Sequence, residues 1–569
     1  MVAYSMINQR YCFMRKYWLL LVLIILTSLL ALDPLFHKGI FTAHDVEANI
    51  GRFGAFFLSI KEGHLIPSWA GYVANGYGSP ILMFSYALPY YLQLPIAFLG
   101  FSLVDTTKIY ILISFIASAI LMYLFLRKHV SEWPAFMGSL LYVYAPYRIN
   151  DIYARGSISE HTAFIAVPLV GLALARIFKK QDFLSILFLA MGFFLLLYSH
   201  PLFVIVVAPF FILYLFINLH EKHQNNKWMI LLNIGKAVLI TISMSAYFWI
   251  PFFLENKYLH YNINPFSHAW STQFVSIAKL IVPEWTFIDS RGRLEYQTWQ
   301  IGIVHIVIVL VSTCLAFRFK RKNKELFWLG LGSFVVSLFF MLPISYFVYL
   351  VIPFLQHIQF PWRFMGLTVI GVSLLGAYLF ETLTAILKKS HLVVLCGAVV
   401  VALLLCNLPY ARGHGNSEIA DDYYLYELVS NTEGIATSPI WSTAPEQYQR
   451  APNRPDIISG IARIDLKKRT STTHSYIVTA ETDTIISENT FYFPNWQVFV
   501  SGEVVPIEFQ NPNHRGIITY SLPVGRHEVE VVFSDTKLRL AAKLISGFTV
   551  LMLIFGYVFQ AYFFRKKHL

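Results

Sequence analysis

A histidine and two carboxylates, His44, Asp45 and Glu47, fall within four positions of the stretch FTAHDVEANIGR at 41–52. A carboxylate placed this way can take a proton from a hydroxyl, and two together can hold a divalent metal ion. The apolar positions Val46, Ile50, Phe53 and Phe57 that follow suit an amphipathic helix lying along a membrane surface. Residues 45 and 47 do not share a helical face unless Asp45 stays in the cap. There the backbone N–H groups of the first turn favour an anion. A capping cluster without chemistry is the structural alternative.

A second group lies in YAPYRINDIYARGSISEH at 144–161, with Arg148, Asp151, Arg155, Glu160 and His161. The first three stand at helical spacings of three and four, which permits an internal ion-pair ladder. The other reading is that Arg148 or Arg155 grips a phosphate, because the guanidinium fork matches its oxygens. Arg363, in HIQFPWRFMG, opens an apolar run and either reaches to lipid headgroups or contacts a lipid phosphate. Trp69, Tyr72 and Tyr77 sit in an almost uncharged loop at 63–82, with stacking on sugars or anchoring at a membrane surface as the two readings. His200 reads as a structural cap. Glu255, Glu284 and His305 receive no role.

The elements that must carry these groups are membrane spans. Of 569 residues, 56% are hydrophobic and only 13% charged, about half the charge of an ordinary soluble protein. Apolar runs of about 18 residues recur along the chain. The first, YWLLLVLIILTSLLALDPLF, has a basic flank but no small-residue cleavage site, and reads as a retained span. The net charge of +12 divides unevenly: residues 411–540 hold 11 Lys and Arg against 16 Asp and Glu, and the remainder holds 33 against 16. The excess lies in short clusters beside apolar runs, a pattern of membrane topology that offers no stripe for a nucleic acid. Cys12, Cys314, Cys396 and Cys406 form neither a disulfide framework nor a metal-ligand spacing.

If every basic cluster faces the cytoplasm, consecutive clusters enclose even numbers of crossings. The runs around Pro80, Pro89 and Pro95 and around Pro353 and Pro361 are then the ones that do not cross, since proline breaks helices. Twelve crossings remain, with both termini cytoplasmic. The fold class expected is an all-α polytopic bundle over 1–410 with an outer loop at 37–107. It is followed by an extracytoplasmic β-sandwich-like domain at 411–540, and then a final span and basic tail at 541–569. Alternation in SYIVTA, VFVSGEVVPIEF and HEVEVVF marks the strands, Ser501-Gly502 and Pro523-Val524-Gly525 mark turns, and 411–470 reads as less regular. All the candidate groups above would open to one outer face.

The ordered stretches AHDVEANIGRF, EGHLIPSW, NGYGSPIL, YAPYRINDIYARGSISEHTAF and QFPWRFMG resemble the bacterial membrane family related by name to 6-pyruvoyl-tetrahydropterin synthase. The end of the chain, from FYFPNWQVFVSG to the last span, is similar to YfhO-type membrane proteins. Both groups resemble GT-C glycosyltransferases in plan. The resemblance implies a bacterial inner-membrane enzyme using a polyprenyl-phosphate sugar donor within the lipid and an extracytoplasmic acceptor. It would make Asp45 the catalytic base, with Glu47 or His44 assisting or binding a metal, and Arg155 and Arg363 the grip on the lipid phosphate. The first-loop motif here is His-Asp-x-Glu, in place of an adjacent acidic pair or D-x-D. A lipid-linked-sugar flippase and a non-catalytic assembly protein are the alternative classes.

Overall fold

The computed structural model describes all residues except 1–17, 222–225, 261–268, 283–286, 289–293, 296–298, 320–322, 414, 428–436, 445–446 and 568–569. Cys12, the basic residues Arg10, Arg15, Lys16 and Lys222, and Glu284 lie outside the described residues. Eight described helices are long and apolar enough to cross a membrane: Leu103–Leu126, Ile158–Ile177, Pro201–His220, Lys227–Met244, Lys324–Met341, Pro361–Thr384, Lys389–Tyr410 and Lys537–Gln560. Trp18–Leu30, Phe183–Ser199 and Ile303–Arg318 are apolar but shorter. The two proline-interrupted stretches make only short pieces. Leu88–Phe98 has 11 residues with Pro95 inside it, a rise of about 16 Å, half the apolar thickness of a bilayer. The six-residue helix Tyr346–Val351 sits between the 3-10 turns Pro343–Ser345 and Pro353–Ile358.

The chain divides into two compact units. The first comprises residues 1–46, 104–239 and 268–418. Its centre is the helix Met365–Thr384, almost wholly buried and packed against Lys324–Met341 and Glu132–Val143. Small residues allow the approach: a Cβ on Gly371 would stand 2.9 Å from the carbonyl oxygen of Gly330. Close backbone packing of this kind substitutes for the hydrophobic drive that lipid removes. On the other seam, with Glu132–Val143, the Ser373 hydroxyl donates to the carbonyl of Gly138 at 2.8 Å and adds a polar tie.

The second unit comprises 47–103, 240–267 and 419–569. Its strands are β1 (Asp456–Ser459), β2 (Ala462–Arg469), β3 (Thr473–Ala480), β4 (Thr484–Phe491), β5 (Trp496–Val500), β6 (Glu503–Val505), β7 (Ile517–Leu522) and β8 (Gly525–Phe533). They form a five-stranded antiparallel sheet, β6-β5-β8-β3-β2, and a three-stranded one, β7-β4-β1. Alternate residues of both sheets, among them Tyr476, Val478, Ile486, Val498, Ile518 and Val529, enclose the core. Ser501-Gly502 closes the β5–β6 hairpin with both φ positive, at 52° and 91°. Pro523-Val524-Gly525 instead carries the chain from one sheet to the other. The stretch read as less regular holds β1 and β2. The register shift between Leu466 and Lys468, on an edge strand, interrupts the alternation that would have revealed β2.

Two of the three rings of the aromatic loop, Trp69 and Tyr77, are buried and serve neither as a sugar platform nor as a membrane anchor. Trp69 is 1% exposed, and its ring lies among Trp496, Phe493 and Phe533 at 5.2–6.3 Å. Tyr77 stacks on Phe491 at 5.0 Å, and Tyr72 meets Tyr426 edge-on at 5.1 Å. Trp69 and Tyr77 complete the sandwich core, where ring contacts add to the area they bury, while Tyr72 stays half-buried outside it. Glu62 accepts from the amide of Ser471, and His64 stands 2.7 Å from the hydroxyl of Thr472, so the loop is clamped to the β2–β3 turn. Glu255 pairs with Arg539 at 2.7 Å in the seam between Ala246–Glu255 and the last helix, Lys537–Lys567.

Candidate functional site

The site in the first unit is built on α1 (Pro146–Tyr153) and the start of α2 (Ile158–Ile177). Pro146 occupies the first turn, where a missing N–H costs nothing. Every residue of α1 is buried. Between the helices the chain reverses at Gly156, whose φ is +65°. A Cβ there would stand 2.7 Å from the amide nitrogen of Val46, so the reversal and the close approach both require glycine.

This turn brings Arg155 between two carboxylates. Its Nη1 lies 2.5 Å from Asp151 Oδ1 and 2.9 Å from Glu160 Oε2. The ladder read from spacing is thus realised for Asp151 and Arg155, and Glu160 joins them across the turn. The Tyr147 hydroxyl donates to Glu160 Oε1 and lies 3.3 Å from Arg155 Nη1, which donates to it. Burial and then the charge of Glu160 push the Asp151 carboxyl well above its usual range, against the pull of Arg155. Two like charges thus compete for one guanidinium. Burial opposes the charge on Arg155, but Glu160, Tyr147 and Asp151 outweigh it and raise its pKa.

Arg148 is not part of the ladder. It is 0% exposed and caged by Phe164, Tyr142 and Phe115, with its guanidinium carbon 4.2, 5.0 and 5.3 Å from their centroids. Nη2 donates to Ser118 at 3.0 Å, while Nε and Nη1 have no partner among the described residues. Burial lowers its pKa to about 10. The cage replaces a counter-ion with aromatic quadrupoles.

Arg363 does not snorkel: it is 8% exposed. Its Nη1 donates to the carbonyl of Ile358 at 2.8 Å and to Gln359 Oε1 at 3.2 Å, and its Nε stands 4.0 Å from Glu160 Oε2. The reason is its helix, Pro361–Thr384, the most deeply enclosed of the eight long ones. Next to it, Trp362 covers the Arg155 guanidinium at 4.7 Å and carries Trp299 and Phe360 at 4.3 and 5.0 Å.

Asp45 meets this cluster through its backbone. Its amide donates to the carbonyl of Arg155 at 2.9 Å, and the amide of His44 donates to that of Ala154 at 3.0 Å. Both His44 and Asp45 are exposed. The first-loop helix, Val46–Lys61, begins one residue later, so Asp45 occupies the cap position. Its carboxylate nevertheless forms no hydrogen bond or ion pair among the described residues. Glu47, half-buried in the first turn, belongs to the second unit, and its carboxylate is equally without such a partner. His161 is not brought to the cluster: it is buried, with Nε2 3.3 Å from the carbonyl of Ile111. His200 does cap a helix, accepting from the amide of Phe203 at 3.1 Å. Among the described residues no group of three His, Cys, Asp or Glu side chains is assembled to hold a metal ion.

Residues 84–411, more than half the chain, match the family described as "6-pyruvoyl-tetrahydropterin synthase related domain; membrane protein". The chain belongs to this family. The family region of this PTPS-related protein includes Arg148, Asp151, Arg155, Glu160, His161 and Arg363, while His44, Asp45 and Glu47 precede it. No curated protein matches by sequence. Among solved structures, arabinofuranosyltransferase AftD from Mycobacteria is similar with 13% identity and a TM-score of 0.43, over 70% of this chain and 26% of that one. The oligosaccharyltransferase of Archaeoglobus fulgidus, apo form, is similar with 14% identity and a TM-score of 0.43, over 75% of this chain and 62% of that one. The chain thus spans about a quarter of the first and three fifths of the second.

Sequence reading missed Tyr147, Trp362 and Trp299. Tyr147 and Trp362 each directly precede an arginine in Pro-Tyr-Arg and Pro-Trp-Arg, a repeated signal that could have exposed both.

Proposed function

We propose that this PTPS-related protein is an integral-membrane glycosyltransferase that moves a sugar from a polyprenyl phosphate to an extracytoplasmic glycan, lipid or protein. The observation that carries the reading is the backbone bond from Asp45 to Arg155. It sets an exposed carboxylate without a partner beside a buried cluster of three arginines and two acids. Three guanidiniums against two carboxylates leave excess positive charge that a phosphate would balance. Asp45 takes the proton of the acceptor hydroxyl as its oxygen attacks the anomeric carbon. The bond from that carbon to the phosphate oxygen breaks, with inversion. The departing lipid phosphate gains its charge against Arg155 and Arg363. Twelve crossings with both termini cytoplasmic would place the site and residues 411–540 on the outer side of a bacterial inner membrane.

Ionisable groups inside spans favour a flippase, and Glu160 and Arg363 lie within two of the long helices. Each is only the third residue of its span, away from the midplane where a translocation site belongs, and the mid-helix Lys236 of Lys227–Met244 is exposed. The transferase reading therefore stands ahead. The test is mass spectrometry of surface glycans from a deletion strain carrying the wild-type gene or Asp45→Asn. A lost modification at normal expression supports the reading, with a rate fall of about 10²–10⁴ expected for a missing base. An Asp45→Asn strain with wild-type glycans overturns it.

A further inference from the structure

The segment Tyr423–Glu427 forms a single turn of π-helix, a rare conformation that is frequent at functional sites. It is held at its start by Asp421, whose carboxylate accepts from the amide of Leu103 at 3.0 and 3.2 Å. It also lies against the first-loop helix: a Cβ on Gly54 would meet the Leu425 side chain at 3.1 Å. Glu47 precedes Gly54 by seven residues, two helical turns, so both lie on one face of that helix. Tyr424, beside Leu425, is 3% exposed and its hydroxyl has no partner among the described residues. Most buried tyrosines here are bonded, as Tyr110 is to Thr162 and Tyr153 to the carbonyl of Ala31. A buried phenol without a partner is costly, so its retention calls for an acceptor that reaches it. The Glu47 carboxylate is such an acceptor: half-buried, uncommitted, and carried on a side chain with three rotatable bonds. Burial and then the charge of Glu47 raise the pKa of the phenol.

We propose that the Tyr424 hydroxyl donates a hydrogen bond to the Glu47 carboxylate and is the positioning residue for this first-loop acid. The role as an acid of the transfer site rests on the function proposed above; the bond itself does not. The test is thermal unfolding of the full chain in lipid nanodiscs for Tyr424→Phe, alone and combined with Glu47→Ala or Glu47→Gln. Tyr424→Phe removes one oxygen and keeps the packing. Expected is a fall in midpoint of about 1 °C that vanishes in the Glu47→Ala background and persists in Glu47→Gln, which keeps an acceptor. An equal shift in the Glu47→Ala chain, or no shift in the wild-type chain, overturns the proposal. Neither outcome depends on transferase activity, so it fails separately from Asp45→Asn.

Discussion

Arg155 and Glu160, five residues apart, form a buried ion pair of 2.9 Å across the turn at Gly156. The same turn presents the carbonyl of Arg155 to the amide of Asp45. One backbone reversal therefore serves both the charge cluster and the first-loop acid.

Arg155→Ala would strand two acids in a dry interior, at a cost of about 3–5 kcal/mol. Thermal unfolding of the purified chain should show the loss. A triple change, Arg155→Met with Asp151→Asn and Glu160→Gln, removes all three charges. It is expected to recover much of the midpoint but none of the glycan modification. Recovery of both would mean that the cluster only stabilises the fold.

Gly156→Ala puts a methyl group within 3 Å of the Val46 backbone at a φ of +65°. The left-handed conformation alone costs about 1–2 kcal/mol. Gly100→Ala is the control, since its φ is also positive, +92°, but nothing lies within 4 Å. Glycan transfer should fall in the first and hold in the second, measured at matched expression.

In the β domain, Glu488 is fully enclosed. It accepts from Arg469 at 2.8 Å and from the Tyr476 hydroxyl at 2.5 Å, and His474 Nδ1 lies 2.6 Å away. Burial would raise its pKa, yet His474 and Arg469 outweigh that and hold it below the usual 4.5. A depressed folded pKa adds stability above the unfolded value, and that stability fades as pH falls through the folded one. Unfolding midpoints should therefore drop from pH 5 toward pH 3. Glu488→Gln should flatten this acid limb while lowering the midpoint at pH 7; an unchanged acid limb in the variant would remove Glu488 as its source.

Trp69→Ala should cost about 3–5 kcal/mol, as expected for emptying an aromatic site in a core. Limited proteolysis should then cut within 456–533 in the variant and not in the wild type. Resistance equal to wild type would mean that the sandwich holds without its plug.

Periodicity made much of the architecture legible: apolar runs marked the long helices, and alternation marked β3, β5 and β8. Spacing of four paired Asp151 with Arg155. What stayed hidden was set by tertiary approach. Nothing local tells that Trp69 joins Phe493, or that Glu255 pairs with Arg539 over 284 positions. For Arg363 the sequence leaves headgroups and a lipid phosphate as equal readings, because it shows that a helix is apolar, not whether a neighbour covers it. The function of Asp45 was suggested by residue type and family likeness; the bond tying it to the Arg155 turn needed coordinates.

The clamp of Glu62 on Ser471 joins partners 409 positions apart. A ribosome must therefore deliver most of the protein before Trp69 and its neighbours can find their shelter. Until then a greasy, aromatic segment waits uncovered, and nascent chains that stop early would carry it as a mark for quality-control proteases. Loss-of-function truncations near the C-terminus should for that reason lower the amount of protein, and not merely silence it.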